Sequence, residues 1–292
     1  MPQEVPQPEI PQKPRISVVV VSYNCEDALR RCLRSLEASK QRAQFEVLVV
    51  DAGSQDGCPS VDLDFPAVTV LRLPRNFGKT RARNIGMRTA QSDVVFFLDP
   101  HVEVRPETLG LLAAALESRD DATAAAPVLE DANGAVVPQS FRLPSVAELA
   151  ETGLRGTPLP RAAVTGEAVE AVEEWALAVR RSFVAGMNYL DEKRFSEHWS
   201  LLEVCWQIRN AGKKLLLVDA ARATIYPFTP IDADKTDYVA DRITGAGAYI
   251  AKHKGLGTGI SFRIKCFLSA LGSLKFSLAF QVITGQKLDP TQ

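Results

Sequence analysis

The sequence predicts an α/β fold organised around a doubly wound, mostly parallel sheet, and three observations carry that expectation. Residues 16–24 and Phe45–Asp51 are apolar, β-prone runs of the kind found in strands buried on both faces. A helical pattern lies between them. The alternation of strand and helix then continues to about Val128, as a parallel sheet requires. With 292 residues and 46% hydrophobic content, the chain can bury a core as one large domain or as a domain with an appendage.

The elements follow in order. Glu26 to Ser39 carries Leu29, Cys32, Leu33 and Leu36 at helical spacing, so the first two strands and this helix form a β-α-β unit. The turn Asp51-Ala52-Gly53-Ser54-Gln55-Asp56-Gly57 closes the second strand at its carboxyl end, where open α/β sheets place their ligands. Val68 to Leu71 reads as a third strand, a loop and helix surround Asn84, and Val94 to Leu98 is a fourth strand. A helix over Pro106 to Leu116 and a strand over Ala122 to Val128 continue the alternation. Between Asp131 and Glu170, Gly, Pro and short apolar pieces show no sustained period, which reads as an insertion or loop region. Patterning resumes at Trp175 to Arg181, then in a helix from about Leu201 to Ala211 stopped by Gly212, then in a strand over Lys214 to Val218.

A net charge of -1 gives no general reason to expect nucleic acid. Five scattered cysteines without a Cys-x-x-Cys pair read as reduced and cytosolic, with no zinc site. Residues 1–14 repeat proline among Gln and Glu and lack a secretory apolar segment, so they read as a disordered, extended tail.

The chemistry concentrates in one stretch. Asn76-Phe77-Gly78-Lys79-Thr80-Arg81-Ala82-Arg83-Asn84-Ile85-Gly86 leads a basic loop into a helix. The strand that follows ends in Asp99-Pro100-His101, two metal-ligand side chains one residue apart. With Lys79, Arg81 and Arg83 leading into the helix, this reads as a site for a metal-bound diphosphate; opening the helix is the other use of Arg83 and Asn84. A carboxylate with an imidazole suits Mn2+ better than Mg2+, although capping of the following turn would also use Asp99 and His101. Asp51 can select a nucleobase by hydrogen bonding or cap its own turn.

These residues resemble family 2 glycosyltransferases of the GT-A fold. The matching pieces are Val19-Val20-Val21-Ser22-Tyr23-Asn24, Val49-Val50-Asp51-Ala52-Gly53-Ser54-Gln55-Asp56-Gly57, Asn76-Phe77-Gly78 with Ala82-Arg83-Asn84-Ile85-Gly86, and Phe97-Leu98-Asp99. Four in register make a strong signal. The resemblance implies a Rossmann-like, mostly parallel central sheet with flanking helices over residues 15–230, with a nucleotide half at 15–130 and an acceptor half at 131–230. It also implies that Ser22, Asn24 and Asp51 belong to the nucleotide site, with Ser22 and Asp51 on the nucleoside, and that Arg81, Arg83 and Asn84 sit near the phosphates, where guanidinium groups offer bidentate donors. Asp99 and His101 take the place of the family's Asp-x-Asp motif, which holds a divalent cation against the diphosphate. Related GT-A enzymes that add N-acetylgalactosamine to proteins use such a triplet. The segment Gln139-Ser140-Phe141-Arg142-Leu143-Pro144 looks like the insertion of rhamnosyltransferase-like members that build on lipid-linked saccharides.

Two departures stand out. The family carries a Glu-Asp pair before an Asp-Leu-x-x-Arg helix, and the Asp of that pair is the general base. Here the stretch is His198-Trp199-Ser200-Leu201-Leu202-Glu203, so Glu197, His198 or Glu203 would have to replace it. Where the family has a small Gly-Ala pair, this chain has Glu174-Trp175, whose indole either fills sugar space or stacks on a sugar.

From Gly255 to Lys287 no acidic residue occurs. A helical wheel places Ile264, Phe267, Leu268, Leu271, Leu274, Leu278 and Val282 on one face, within a helical extension assigned to 231–292. Lys275 argues against a membrane span, so the stretch reads as an amphipathic helix in the membrane interface, or as one packed on the domain or pairing two subunits. The resulting expectation is a cytoplasmic transferase, peripheral on the inner face of the plasma membrane, using a nucleotide-sugar donor and a saccharide or polyprenyl-linked acceptor. The competing expectation is a catalytically silent GT-A module that binds nucleotide or a partner in a polysaccharide assembly complex.

Overall fold

The computed structural model describes residues 13–161, 167–228 and 235–285. Most of the proline-rich tail therefore lies outside the described residues. Strands β1 (Ile16–Ser22), β2 (Phe45–Asp51), β3 (Val68–Arg72) and β4 (Val94–Leu98) are parallel and lie in the order β3-β2-β1-β4. Alternation along β1 divides the core: Val19 and Val21 face one buried cluster, while Ile16, Val18 and Val20 face the other. Helix α1 (Glu26–Glu37) covers the second face with Leu29, Cys32, Leu33 and Leu36. Helix α2 (Lys79–Thr89) covers the first with Ala82 and Met87. Gly86 lets α2 lie flush on the sheet, because a Cβ there would come within 2.5 Å of Val19 Cγ1.

Beyond β4 the sheet becomes mixed. After β5 (Val102–Val104), α3 (Thr108–Glu117) and β6 (Ala122–Glu130), the strand β10 (Ala176–Arg180) inserts antiparallel between β4 and β6. Strand β11 (Lys214–Ile225) runs parallel to β6 and carries β5 antiparallel on its outer edge. Arg180 fixes the end of β10 by donating to the carbonyls of Leu116, Arg119 and Ala122 at 2.6–3.2 Å.

The stretch from 131 to 170 is more ordered than its composition suggests. It holds β7 (Ser140–Phe141) and α4 (Val146–Arg155), and α4 opens with a complete capping box between Ser145 and Glu148. Short strands β8 (Ala168–Val169) and β9 (Ala171–Val172) pair with β11 and β7. Helices α5 (Arg181–Gly186) and α6 (Ser200–Asn210) complete the part of the domain before β11.

The C-terminal region is three helices, α7 (Thr236–Lys254), α8 (Leu256–Gly272) and α9 (Phe276–Thr284), where the wheel placed one continuous face. The chain reverses at Leu274, whose φ is 56°, so residues on either side cannot share a straight stripe. Helix α8 packs on its neighbours through Gly259, Phe262, Cys266 and Ala270, leaving Ile264, Leu268 and Leu274 exposed. Small residues allow close helix approach, and that contact outweighs burial of the larger side chains. No helix among the described residues is long and apolar enough to cross a membrane.

Candidate active site

A cleft of about 560 Å³ opens at the carboxyl ends of β1, β2 and β4. Open α/β sheets place ligands there because several loops converge without strand hydrogen bonds to satisfy. One group of lining side chains, Tyr23, Asn24, Glu26, Asp27 and Asp56, comes from the loops after β1 and β2 and the start of α1; another comprises Lys79, Asp99, His101, Glu197, Phe228 and Tyr238, and Arg31 also lines the cleft, over the Tyr226 ring at 5.4 Å.

In the first group the turn after β2 organises itself around Asp51. Its carboxylate accepts from Ser22 Oγ at 3.3 Å and from the amides of Gly53 and Ser54 at 3.2 and 3.1 Å. Asp51 is 1% exposed and is absent from the cleft lining, as is Ser22. These contacts are those of a turn lock. Asn24 does line the cleft, with φ 49°; its Oδ1 accepts from Gln55 N at 2.7 Å and its amide donates to Ser54 Oγ at 3.0 Å.

The second group is built on α2. Gly78 has φ 85°, and a Cβ on it would collide with Ser196, so glycine is needed to bring the loop against the segment before α6. Lys79 then places its ammonium 3.2 Å from Glu197 Oε1, while its amide donates to Glu197 Oε2 at 3.1 Å. Burial opposes the charge on Lys79, but Glu197 and Asp99 outweigh it and hold the ammonium above its ordinary range. The Asp99 carboxylate accepts from His101 Nδ1 and from the His101 amide, both at 2.9 Å. Burial would raise its pKa, yet the His101 hydrogen bond and the Lys79 charge hold it below the usual carboxylate range. The His101 ring stacks on Phe228 at 3.9 Å.

The remaining expected residues scatter. Arg81 is exposed and lies over the Phe77 ring at 4.4 Å, away from the cleft lining. Arg83 is buried and donates to Glu174 Oε2 at 2.7 Å and Ser200 Oγ at 3.1 Å. Asn84 exchanges hydrogen bonds with the backbone of Leu190 at 2.9 and 3.0 Å. Arg83 and Asn84 thus clasp the segments around Glu174, Leu190 and Ser200. Trp175 does not line the cleft; Arg161 covers its ring at 4.7 Å.

Of the three replacement bases, Glu197 alone lines the cleft. Glu203 is 1% exposed and joins α6 to α7 through His253 Nε2 at 2.5 Å and Lys252 Nζ at 2.8 Å, with Gln207 Nε2 at 2.8 Å. Burial opposes its ionisation, and those three partners overcome it to keep the carboxyl below its ordinary range. His198 turns away from the cleft with its ring edge against Tyr238 at 4.5 Å, and burial beside the Lys79 charge pushes its pKa down to about 3.

Asp99 and His101 are compatible with one divalent cation. Among the described residues no group of three or more His, Cys, Asp or Glu side chains is assembled for a metal. A cation held there would take two side-chain ligands from the protein, a carboxylate and an imidazole. Sequence reasoning missed Tyr23, Arg31, Phe228 and Tyr238 in the cleft; Lys79 was visible as a basic residue at a helix start.

The mixed α/β sheet is that of the GT-A fold. The structure aligns with GalNAc-T7, solved with UDP, GalNAc and Mn2+, at a TM-score of 0.58 over 77% of this chain and 47% of that one, with 21% identity. Residues 17–160 match the model of Glycosyl transferase family 2. It is 36% identical over 114 residues to undecaprenyl-phosphate 4-deoxy-4-formamido-L-arabinose transferase of Pseudomonas fluorescens, covering 36% of this chain and 33% of the relative. It is 32% identical over 146 residues to the succinoglycan biosynthesis protein ExoO of Rhizobium meliloti, covering 49% and 40%. The matched segments span about a third to two fifths of those relatives' lengths.

Proposed function

We propose that the protein is a metal-dependent, inverting glycosyltransferase. It would move a sugar from a nucleotide-sugar donor to a saccharide or lipid-linked saccharide acceptor in cell-surface polysaccharide synthesis. The observation that carries this reading is the convergence of Asp99, His101, Lys79 and Glu197 on the cleft in a chain that matches the family 2 model over residues 17–160. Asn24, with Tyr23 and Arg31, would receive the nucleoside, a role the turn-locking contacts of Ser22 and Asp51 make indirect for those two. Asp99 and His101 would hold Mn2+ or Mg2+, which when bound supplies Lewis-acid stabilisation of the departing diphosphate. Lys79 would donate to a diphosphate oxygen, and moving there would release Glu197 to accept the proton of the acceptor hydroxyl.

A second reading is favoured by one specific observation: both Glu197 carboxylate oxygens are engaged by Lys79. On that reading the domain binds nucleotide without turnover, as a subunit of a polysaccharide assembly complex.

A cytoplasmic location, peripheral on the membrane, suits a lipid-linked acceptor. Leu256, Ile260, Ile264 and Leu268 form an exposed stripe on α8, continued by exposed Leu274, Phe276, Phe280 and Ile283. Lys265 and Lys275 accompany them, and no acidic residue occurs from Gly255 to Gly285. This surface fits anionic lipid; pairing of two copies is its rival use.

The test is calorimetric titration of UDP, GDP and dTDP, with and without Mn2+, on the wild type and on Asp99→Ala. Base-selective, Mn2+-dependent binding lost in the variant is expected, with transfer or donor hydrolysis separating enzyme from silent module. Absence of binding by all three nucleotides would reject the transferase reading.

A further inference from the structure

Two cysteines that are distant in sequence meet beside the cleft. Cys25 is half-buried, lines the cleft and immediately precedes α1, whereas Cys58 is fully buried just after Gly57. The backbone around them holds the two segments together. Asn24 Oδ1 accepts from the Gln55 amide at 2.7 Å, and the Asn24 amide donates to Ser54 Oγ at 3.0 Å. The Glu26 amide donates to Asp56 Oδ2 at 2.9 Å, and Glu26 Oε2 accepts from the Gly57 amide at 3.0 Å. Cys25 lies between Asn24 and Glu26, so these four hydrogen bonds clamp its segment alongside the one that leads into Cys58. The Cys58 sulfur accepts from the Cys25 amide and is hydrogen-bonded to the Cys25 thiol; that contact, with burial, pushes the Cys58 thiol well up. The other three cysteines, Cys32, Cys205 and Cys266, are buried.

Two thiols in contact, one reachable from the cleft and one sheltered, form the arrangement of a reactive cysteine with its resolving partner. We infer that Cys25 is a site of thiol oxidation, that Cys58 resolves it into a reversible disulfide, and that this disulfide reshapes the cleft and weakens nucleotide binding. With a low-molecular-weight disulfide such as oxidised glutathione as the oxidant, the Cys25 thiolate attacks one of its sulfurs. A Cys25–glutathione bond forms, the S–S bond of the oxidant breaks, and one glutathione leaves with the electron pair and takes up the proton that Cys25 released. The Cys58 sulfur then attacks Cys25 Sγ, which forms the protein disulfide and expels the second glutathione with the Cys58 proton. Two cysteines are oxidised and one oxidant molecule is reduced to two thiols. Sulfurs in hydrogen-bonding contact must then approach to about 2.05 Å. There is little slack between the segments: a Cβ on Gly57 would meet the Glu26 carboxylate at 2.2 Å, and Asn24 already holds a left-handed φ of 49°. The movement therefore falls on Asn24, Glu26 and Asp56, all of which line the cleft. Formation of the disulfide is independent of the transferase reading above; its effect on nucleotide rests on that reading.

The test equilibrates the full chain in glutathione buffers of rising oxidised fraction, quenches by alkylation, and reads intact mass, peptide maps and calorimetric binding of UDP, GDP and dTDP with Mn2+. The oxidised wild type should carry one disulfide, mapped to Cys25 and Cys58, and should bind its nucleotide at least tenfold more weakly until dithiothreitol restores the affinity. Cys58→Ala should stop at one glutathionyl group on Cys25. Cys25→Ser should acquire neither adduct nor cross-link, and its nucleotide affinity, whatever its starting value, should be indifferent to the oxidant. A wild type that keeps all its thiols in excess oxidised glutathione, or that cross-links other cysteines, would overturn the assignment of the pair. A mapped Cys25–Cys58 disulfide with nucleotide affinity unchanged would overturn its effect on the cleft. The mapped disulfide in a protein whose reduced form binds none of the three nucleotides would reject the transferase reading and leave the oxidation site standing.

Discussion

Replacing Glu203 by Gln separates a latch from a base. The side chains of Glu203 and His253 are 1% and 2% exposed, so the substitution removes a charge from a pair that water does not reach. Breaking a buried pair typically costs about 3–5 kcal/mol. The Lys252 side chain is 31% exposed and can rehydrate, which places the expected loss near the lower end, about 3 kcal/mol. Equilibrium denaturation of both proteins at pH 7 measures it. The pH dependence has a definite sign. Because the folded-state pKa of Glu203 is lowered, its stabilisation is complete above the unfolded value of about 4.3 and is lost as pH falls through the folded value. The gap between wild type and variant should therefore close progressively below about pH 4. Nucleotide affinity should persist in the folded variant. A loss of less than about 1 kcal/mol, or a variant of unchanged stability that has lost only turnover, would refute the latch and return Glu203 to the chemistry.

Two further outcomes follow from the same geometry. Lys79→Met should weaken nucleoside diphosphate binding by roughly 10- to 150-fold, the equivalent of about 1.5–3 kcal/mol for a charge-assisted hydrogen bond. Nucleoside affinity should be unchanged, and an unaltered diphosphate affinity measured by calorimetry would remove Lys79 from the phosphate site. Co-sedimentation with phosphatidylglycerol vesicles should be reduced more than tenfold by the pair Leu268→Asp and Phe280→Asp, since each buried apolar side chain contributes about 1.5–3 kcal/mol; wild-type protein that stays in the supernatant would dismiss the lipid-facing role of α8 and α9.

Strands β1, β2 and β4 were legible because they are buried on both faces, and continuous β-branched or apolar runs have few other uses. That Asp99 and His101 line the cleft was legible for a related reason: polar side chains that end such a run stand at the carboxyl end of the sheet. Asp51 ends a run too, but a carboxylate there can reach outward to a ligand or back to its own turn, and only the positions of the Gly53 and Ser54 amides decide. Helix α4 announced itself with Ser145 and Glu148, although its short apolar pattern and surrounding Gly and Pro concealed it. The C-terminal wheel failed because it ranked faces by side-chain size, whereas α8 docks through Gly259 and Ala270 as well as Phe262 and Cys266. Phe228 and Tyr238 reach the cleft from distant segments, and no local spacing encodes that.

Helix α2 has a consequence for anyone recombining such domains. Within six consecutive positions it holds Glu197 through Lys79, Glu174 and Ser200 through Arg83, and the Leu190 backbone through Asn84. A chimera that exchanges the segment after residue 131 for that of another such domain inherits none of these complements unless residues 174, 197 and 200 are carried along. The two parts of the chain are thus a matched set, and the natural crossover for a swap lies outside that helix and its three counterparts.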